Sequence, residues 1–596
     1  MSSPLISLCM IVKDEADVIA RCLESAAKAV DEIIVVDTGS IDSTAEIARS
    51  LGAIVINSEW RNDFAYARNA GLQHASGKWI LVLDADEELD MAAGDKLRQY
   101  VVQDGADGYF VHIYNFAGER NDGPAVINPT IRMFRNHPRH RFEGRIHEQI
   151  TPSIQASNPN AVFMLTDVRV NHYGYQNEVI QRKNKTERNL LLLQETLKEK
   201  PDDPFHLYNI SVEWLRLGKV REALEGFRKS RMLTNPKTSY AHLLYKCEAK
   251  CHMALGQSIS GLDVCAEGLL KYPQYSDLYH YQGLFHLNMS DIGKAKEAFS
   301  KAVETGPPSS GYHTEEGMGS YISAYQLGLL HEASLEIEAA AESYLRAVQS
   351  FSTFVPPLYR LFHLLRISGR EADIVPLLLE RISIDEPEQA VNILKVMEDT
   401  GCSHAALRFI ERYRHLLSPV DATVYTAAHA LLIGDLIKAR ILVQQLQVSN
   451  PEHQGLLRMN VLLCSLGDEL EEAQRHWNRL TELYPEQQSS VLAYLIGDLA
   501  PAGLLLDQEG LHDMRMAIKS AFSNSRPIAV NRIASAWGEA VTVQDSPNRA
   551  NATAALVRTL AEFAERHLER LTETPRLREL SNACRLVLPF EDGSLR

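Results

Sequence analysis

Asp84-Ala85-Asp86-Glu87-Glu88 follows directly on the apolar run Trp79-Ile80-Leu81-Val82-Leu83. In an extended segment, side chains two positions apart point to the same side, so the carboxylates of Asp84 and Asp86 can be presented together. Oxygen ligands of this kind suit a hard divalent cation and leave positions for phosphate oxygens and water. Such a cation neutralises a departing diphosphate. Alone, an Asp-x-Asp is more often a solvated acidic loop. Here three more polar clusters stand upstream, each beside an apolar run or a helical segment. They are Lys13-Asp14-Glu15, Asp37-Thr38-Gly39-Ser40, and the stretch from Arg61 with Asp63, Arg68 and Asn69.

Three downstream stretches carry further chemistry. Arg132 and Arg135 flank Met133-Phe134 and offer charge to a diphosphate, with exposed strand arginines as the bland alternative. Phe142-Glu143-Gly144-Arg145-Ile146-His147-Glu148 holds carboxylates that suit a general base. A general base takes the proton of an attacking nucleophile, and Glu148 is the first candidate, with His147 and Glu143 as alternatives. A carboxylate that merely orients Arg145 is the competing reading. Asn171-His172-Tyr173-Gly174-Tyr175 closes this part of the chain, and by itself a lone histidine such as His172 reads as a satisfied structural residue.

The elements that must position these residues alternate. Leu5–Val12 reads as a strand and Ala16–Ala27 has helical spacing. Ile33–Val36 is almost wholly β-branched, as in a strand buried on both faces. A helix capped by Ser40 or Ser43 runs to Leu51, before strand Ala53–Ile56, helix Phe64–Gln73 and strand Trp79–Leu83. Strand–helix alternation with short joints predicts a parallel sheet covered by helices on both sides, an α/β doubly wound domain. Ligands in that architecture bind beyond the carboxyl ends of the strands, where the polar clusters stand.

From about Tyr175 the pattern becomes helical only. Prolines at 204, 236, 273 and 307 bracket units that share a turn glycine followed by small and aromatic residues. One unit has Leu215, Gly218, Ala223, Phe227 and Pro236; another has Tyr279, Gly283, Ala295, Phe299, Ala302 and Pro307. Pro451 and Pro485 repeat the spacing, with Gly467, Ala473 and Trp477 between. A period of about 34 residues is the tetratricopeptide signature. Gly306–Gly319 reads as an insertion loop between repeats, and Asn551–Leu571 as a helical tail. The array is either a rigid spacer or a groove for a partner.

Composition narrows the function. At 596 residues the chain exceeds one hydrophobic core. Its 61 basic and 77 acidic side chains leave a net charge of −16, which argues against nucleic acid as partner. No apolar run reaches the roughly 18–20 residues of a membrane span, so no transmembrane segment is expected. Met1–Val12 lacks the basic start of a signal peptide, and the eight scattered cysteines read as reduced core thiols. A cytoplasmic location is expected.

On Ser7–Glu15, Asp31–Ser40 and Leu83–Glu87 the sequence closely resembles the family 2 glycosyltransferases of GT-A fold. It is most similar to the bacterial subgroup that joins this domain to helical repeats, which includes peptide S-glycosyltransferases. The resemblance covers residues 1 to about 175, and the Gly-x-Ile-His-Glu stretch at 144–148 stands where many family members carry a Glu-Asp pair. It implies that Asp14 or Glu15 and Asp37 contact the nucleoside and that Asp84 lies near the ribose or uracil. Asp86 is then the principal metal ligand. Lys13, Asp63, Arg68, Asn69 and Arg132 complete the expected donor site, with Asp84 and His172 beside the metal. The implied donor is a nucleotide sugar, most often a UDP-sugar, with magnesium or manganese.

The expected organisation is a GT-A nucleotide-sugar domain over 1–180, a linking helix over 181–203, TPR-like repeats over 204–500 and a C-terminal helical cap over 501–596. The acceptor is expected to be a polypeptide, or a glycan on one, docked on the repeats; a homodimer through the repeats is the competing use of that surface. The catalytic domain is expected to keep its own core when cut near Lys200. Rival readings are an enzyme of cell-surface polysaccharide or lipid-linked glycan, a non-catalytic nucleotide-sugar-binding scaffold, and a nucleotidyltransferase. The last would carry a Gly-rich basic loop where Lys13-Asp14-Glu15 stands.

Overall fold

Strand β1 (Ile6–Val12) places Leu8, Met10 and Val12 in one apolar cluster and Cys9 in another. Strand β4 (Trp79–Val82) divides in the same way, with Trp79 and Leu81 on one face and Ile80 and Val82 on the other. Both strands are therefore central, which is why their sequences are unbroken apolar runs. These features are seen in a computed structural model that describes residues 4–90, 93–103, 105–117, 126–175, 185–467 and 469–485, with isolated positions up to 520. The expected cap over 501–596, including Asn551–Leu571, lies outside the described residues but for 516, 517 and 520. The chain forms two compact units, residues 1–347 and 348–596.

The first unit starts with the expected alternation. Helices α1 (Ile19–Ala26), α2 (Thr44–Ser50) and α3 (Phe64–Leu72) separate β1, β2 (Glu32–Asp37), β3 (Ile54–Asn57) and β4. Then come β5 (Glu87–Leu89), α4 (Ala93–Val102), β6 (Gly108–Ala117), β7 (Val126–Arg135), α5 (Thr151–Ser157) and β8 (Phe163–Tyr175). The sheet order is β3-β2-β1-β4-β7-β6-β8-β5. The expectation of a parallel sheet holds for β3-β2-β1-β4 and again for the pair β6 and β8. β7 runs antiparallel to β4 and to β6. For β6 and β7 the physical reason is the short connection: residues 118–125 are too few for the dozen or so that a parallel crossover needs.

Beyond the sheet, α6 (Lys185–Glu199) precedes antiparallel helix pairs: α7 (Pro204–Arg216) with α8 (Val220–Leu233), α9 (Ala241–Ala254) with α10 (Ser258–Lys271), and α11 (Ser276–Asn288) with α12 (Ile292–Thr305). Pro204 opens its helix, where a missing N–H costs nothing, and the Asp203 side chain accepts from His206 N. Small residues stand where paired helices touch, as the repeat pattern predicts. A Cβ on Gly283 would lie 2.6 Å from the Phe299 ring, so only glycine admits that ring.

The expected insertion loop is more than a loop. Between α12 and α13 (Tyr321–Ala333) the chain turns back, and β9 (Thr314–Glu315) pairs with Val126 and Ile127 of β7. On the way it lies against α9 and α11. Tyr312 stacks on Tyr275 at 5.2 Å and meets the edge of His242 at 4.6 Å. His313 N donates to His242 Nε2 at 2.9 Å, and Tyr275 Oη donates to the His313 carbonyl at 2.8 Å. Thr314 Oγ1 and Glu315 N both donate to Asp277, which is itself paired with buried Lys246 at 2.9 Å. This strap ties the helices to the sheet through backbone atoms.

The second unit continues the helix pairs, for example Pro419–Leu432 with Leu436–Gln447 and Gln454–Leu466 with Leu470–Leu483. Ala473 and Trp477 are buried there, as their positions in the repeat require. The seven described cysteines are buried and unbridged. Among the described residues, no helix is long and apolar enough to cross a membrane.

Candidate active site

At the carboxyl ends of β1 and β2 the backbone turns sharply. Asp14 has φ +53°, and its Oδ1 accepts from Ile41 N at 2.8 Å. Asp37 Oδ1 accepts from Gly39 N at 3.0 Å and from Ser40 N at 2.8 Å, a turn that places Gly39 at φ +105°. Ser40 Oγ in turn accepts from Asp14 N. The two strand ends are thus locked to each other, with Lys13 exposed beside them and Glu15 N donating to Thr44 Oγ1. These are the residues expected at the nucleoside, and the fold brings them together.

Past β4 the charges concentrate. Asp84 accepts from Arg68 Nη2 at 2.7 Å through Oδ1 and from Arg132 Nη2 at 3.2 Å through Oδ2. Arg68 also pairs with Glu148, and Arg132 with Glu87. Burial works to raise the Asp84 pKa, but Arg68 and then Arg132 outweigh it and hold this carboxyl well below the usual range. Asp86 lies 3.4 Å from His172 Nε2. Burial works to lower the His172 pKa; the hydrogen bond and charge of Asp86 overcome it and raise the pKa above its ordinary value.

The Gly-x-Ile-His-Glu stretch folds as a loop clamped on several sides. Asn69 Nδ2 donates to the Phe142 carbonyl and its Oδ1 accepts from Phe142 N, both at 2.9 Å. Phe64 N donates to the Arg145 carbonyl, next to Asp63, which caps α3 by accepting from Tyr66 N. Arg145 pairs with Glu195 and Glu199 of α6, and Ile146 packs with Leu192, Leu193 and Ile210. The geometry brings Glu148, through Arg68, to the Asp84 cluster. His147 turns the other way: it has φ +53°, its charged neighbours are Glu213, Arg216, His206 and Arg188, and burial lowers its pKa to about 4. Glu143 is exposed and bridges Gln149 by backbone only.

Of the other expected donor-site residues, Asp63 caps its own helix and Asn69 holds the Phe142 backbone, so both position elements around the carboxylate cluster. Arg135 lies over the Trp79 ring and donates to the Ala106 carbonyl, away from the cluster. Two residues escaped the sequence reading. Glu87, almost wholly buried, accepts from Asp84 N at 2.9 Å and braces Arg132. Asn115 hydrogen-bonds His172 Nδ1 at 2.8 Å. Its signal was available: it is the polar member of a row that includes Val111 and Ile113.

Among the described residues, no group of three or more His, Cys, Asp or Glu is placed to hold a metal unaided. Both oxygens of Asp84 accept from guanidiniums, so Asp86 and His172 are the side chains that would hold a cation. That set fits a magnesium or manganese ion whose remaining positions come from phosphate and water. Three carboxylates, Asp84, Glu87 and Glu148, pair with Arg68 and Arg132, and a fourth, Asp86, pairs with His172.

The family described as Glycosyl transferase family 2 matches residues 7–162. A solved structure, S. aureus TarS 1–349, is similar at 15% identity and a TM-score of 0.26, over 46% of this chain and 92% of that one. The SPbeta prophage-derived glycosyltransferase SunS of Bacillus subtilis is 30% identical over 241 residues, 38% of this chain and 53% of its own length. A TPR repeat-containing protein of Synechococcus elongatus is 30% identical over 313 residues, 51% of this chain and 76% of that protein. With the sheet, the strand-end carboxylates and the helix pairs in place, the chain belongs to the family 2 glycosyltransferases fused to tetratricopeptide-type repeats.

Proposed function

We propose that this glycosyltransferase moves a sugar from a UDP-sugar to an acceptor with inversion, assisted by magnesium or manganese. The observation that carries the reading is Arg68, which joins Asp84 at the end of β4 to Glu148 on the clamped loop. One guanidinium thereby sets the distance between the donor side and a proton acceptor. In this reading the Asp14 and Asp37 turns bind the nucleoside, and Asp86 with His172 would hold the cation. When bound, the cation supplies positive charge to the leaving diphosphate. Glu148 takes the proton of the acceptor nucleophile while the anomeric carbon gains the nucleophile and loses the diphosphate oxygen. The nucleoside diphosphate leaves with the bonding electrons.

The acceptor reading we favour is a polypeptide on the helical pairs. It is supported by the strap: α9 and α11 hold an extended stretch of polypeptide largely by its backbone amides and carbonyl. The test is nucleotide release by the full chain from a panel of nucleotide sugars, with manganese and with a chelator. Release of UDP that needs the cation is expected. Equal release under chelation rejects the metal role, and no release from any donor rejects transfer.

A further inference from the structure

Asn115 sits at a core position of β6 and is 7% exposed. Its Nδ2 donates to the Val126 carbonyl at 2.9 Å and to the Ile113 carbonyl at 3.3 Å. Two carbonyls on that side fix the amide nitrogen there, so Oδ1 is the atom that meets His172 Nδ1 at 2.8 Å. An amide oxygen only accepts, so Nδ1 carries the hydrogen. In a neutral imidazole the other nitrogen, Nε2, then presents a lone pair. That lone pair points at the Asp86 carboxylate 3.4 Å away. Without a metal, a proton on Nε2 joins ring and carboxylate, and a divalent cation would take that proton's place between the same two atoms. Converging nitrogen and oxygen lone pairs are the donor set of a divalent cation.

We infer that Asn115 is a positioning residue, which fixes the His172 ring with Nδ1 protonated and so presents Nε2 as a ligand to the cation at Asp86. The inference rests on the metal-assisted reading above. Histidine ligands are oriented in this way by the partner of their other nitrogen. The anchor of Asn115 is itself held: Val126 is the β7 residue that pairs with Glu315 of the strap. The strap's Glu315 is fixed in turn by Lys250 Nζ at 2.6 Å and by Asp277. A row of contacts therefore runs from the helical pairs to the ring of His172.

Manganese binding by the full chain, read by electron paramagnetic resonance in the presence of UDP, tests this. Asn115→Ala and the similarly sized Asn115→Leu are expected to weaken manganese binding roughly 10–100-fold. Combined with His172→Ala, neither change should cost anything further, because Asn115 acts through that ring. A further loss in the His172→Ala background overturns the inference while leaving the metal reading intact. Manganese uptake unchanged by Asp86→Asn overturns the metal reading and the inference with it. The wild type gives an independent readout that does not depend on how the variants fold. With magnesium and UDP, the ring-nitrogen NMR pattern of His172, assigned by its absence in His172→Gln, should show protonated Nδ1. An Nε2–H ring overturns the inference.

Discussion

Arg68 holds both Asp84 and Glu148, the carboxylates proposed for the donor side and for the base, so substitutions on the two sides should separate cleanly. Asp86→Asn removes one anionic ligand from a hard cation site, and calorimetric titration of donor with manganese should show affinity lower by roughly tenfold or more in a folded protein. Unchanged affinity would remove Asp86 from the metal. Glu148→Gln keeps the shape that meets Arg68 and loses the proton acceptor; transfer should fall ~10²–10⁴-fold with donor affinity retained. Glu143→Gln should transfer at close to the wild-type rate, and the reverse pattern would reassign the base. The strand-end acids were legible because carboxylates in that number rarely crowd the ends of apolar strands without work to do. Asn115 and Glu87 were not picked out, since their importance lies in what they touch across the sheet: Asn115 is 57 residues from His172 in sequence.

Among the elements, the strap is where composition misled. Glycine, serine and proline over 306–319 read as a plain connection, while its pairing partner lies far upstream in β7. The turn to antiparallel pairing at β7 was hidden for a similar reason, because strand direction is set by a connection and not by periodicity. The central strands were legible because burial on both faces leaves an unbroken apolar run. The strap also carries a pH dependence. Burial lowers the pKa of His242 to about 2 and that of His313 to about 4. In the unfolded chain both titrate near ~6.5. Between these values the unfolded state binds more protons, so stability present at neutral pH is lost as pH falls from about 6.5 towards 4. Protonated His242 Nε2 also can no longer accept from His313 N. We expect the thermal midpoint to drop over that range, with faster amide exchange at His313 and Glu315. A flat midpoint and unchanged exchange would show that these rings are not held neutral.

For the whole molecule, the sheet domain and the first helices share an apolar cluster across the change of sequence rhythm near residue 180. Ile146, beside the proposed base, is buried against Ile210 of α7 as well as Leu193 of α6. A chain ending near Lys200 loses Ile210 and Trp214, and exposes Ile146 and Leu193. The expectation that such a piece keeps its own core therefore gives way to another. Removing a large buried aliphatic contact typically costs ~2–5 kcal/mol. We expect the piece ending near Lys200 to melt lower and to lose most donor hydrolysis, while one ending near Ala347 retains it. Full hydrolysis by the shorter piece would show that the helices do not support the loop.

The strap has a further consequence, for how such a chain can vary. Helical repeats ordinarily change in copy number by whole units, since each unit contacts only its neighbours. Here the stretch after α12 must arrive at Val126 and Ile127 of the sheet. One helix pair more or fewer between α6 and α13 would carry β9 away from that edge by the thickness of a pair. The first three pairs are thus counted by the sheet, much as a belt is made to one waist. Lineages related to this protein should keep that count and spread their differences in length beyond α13.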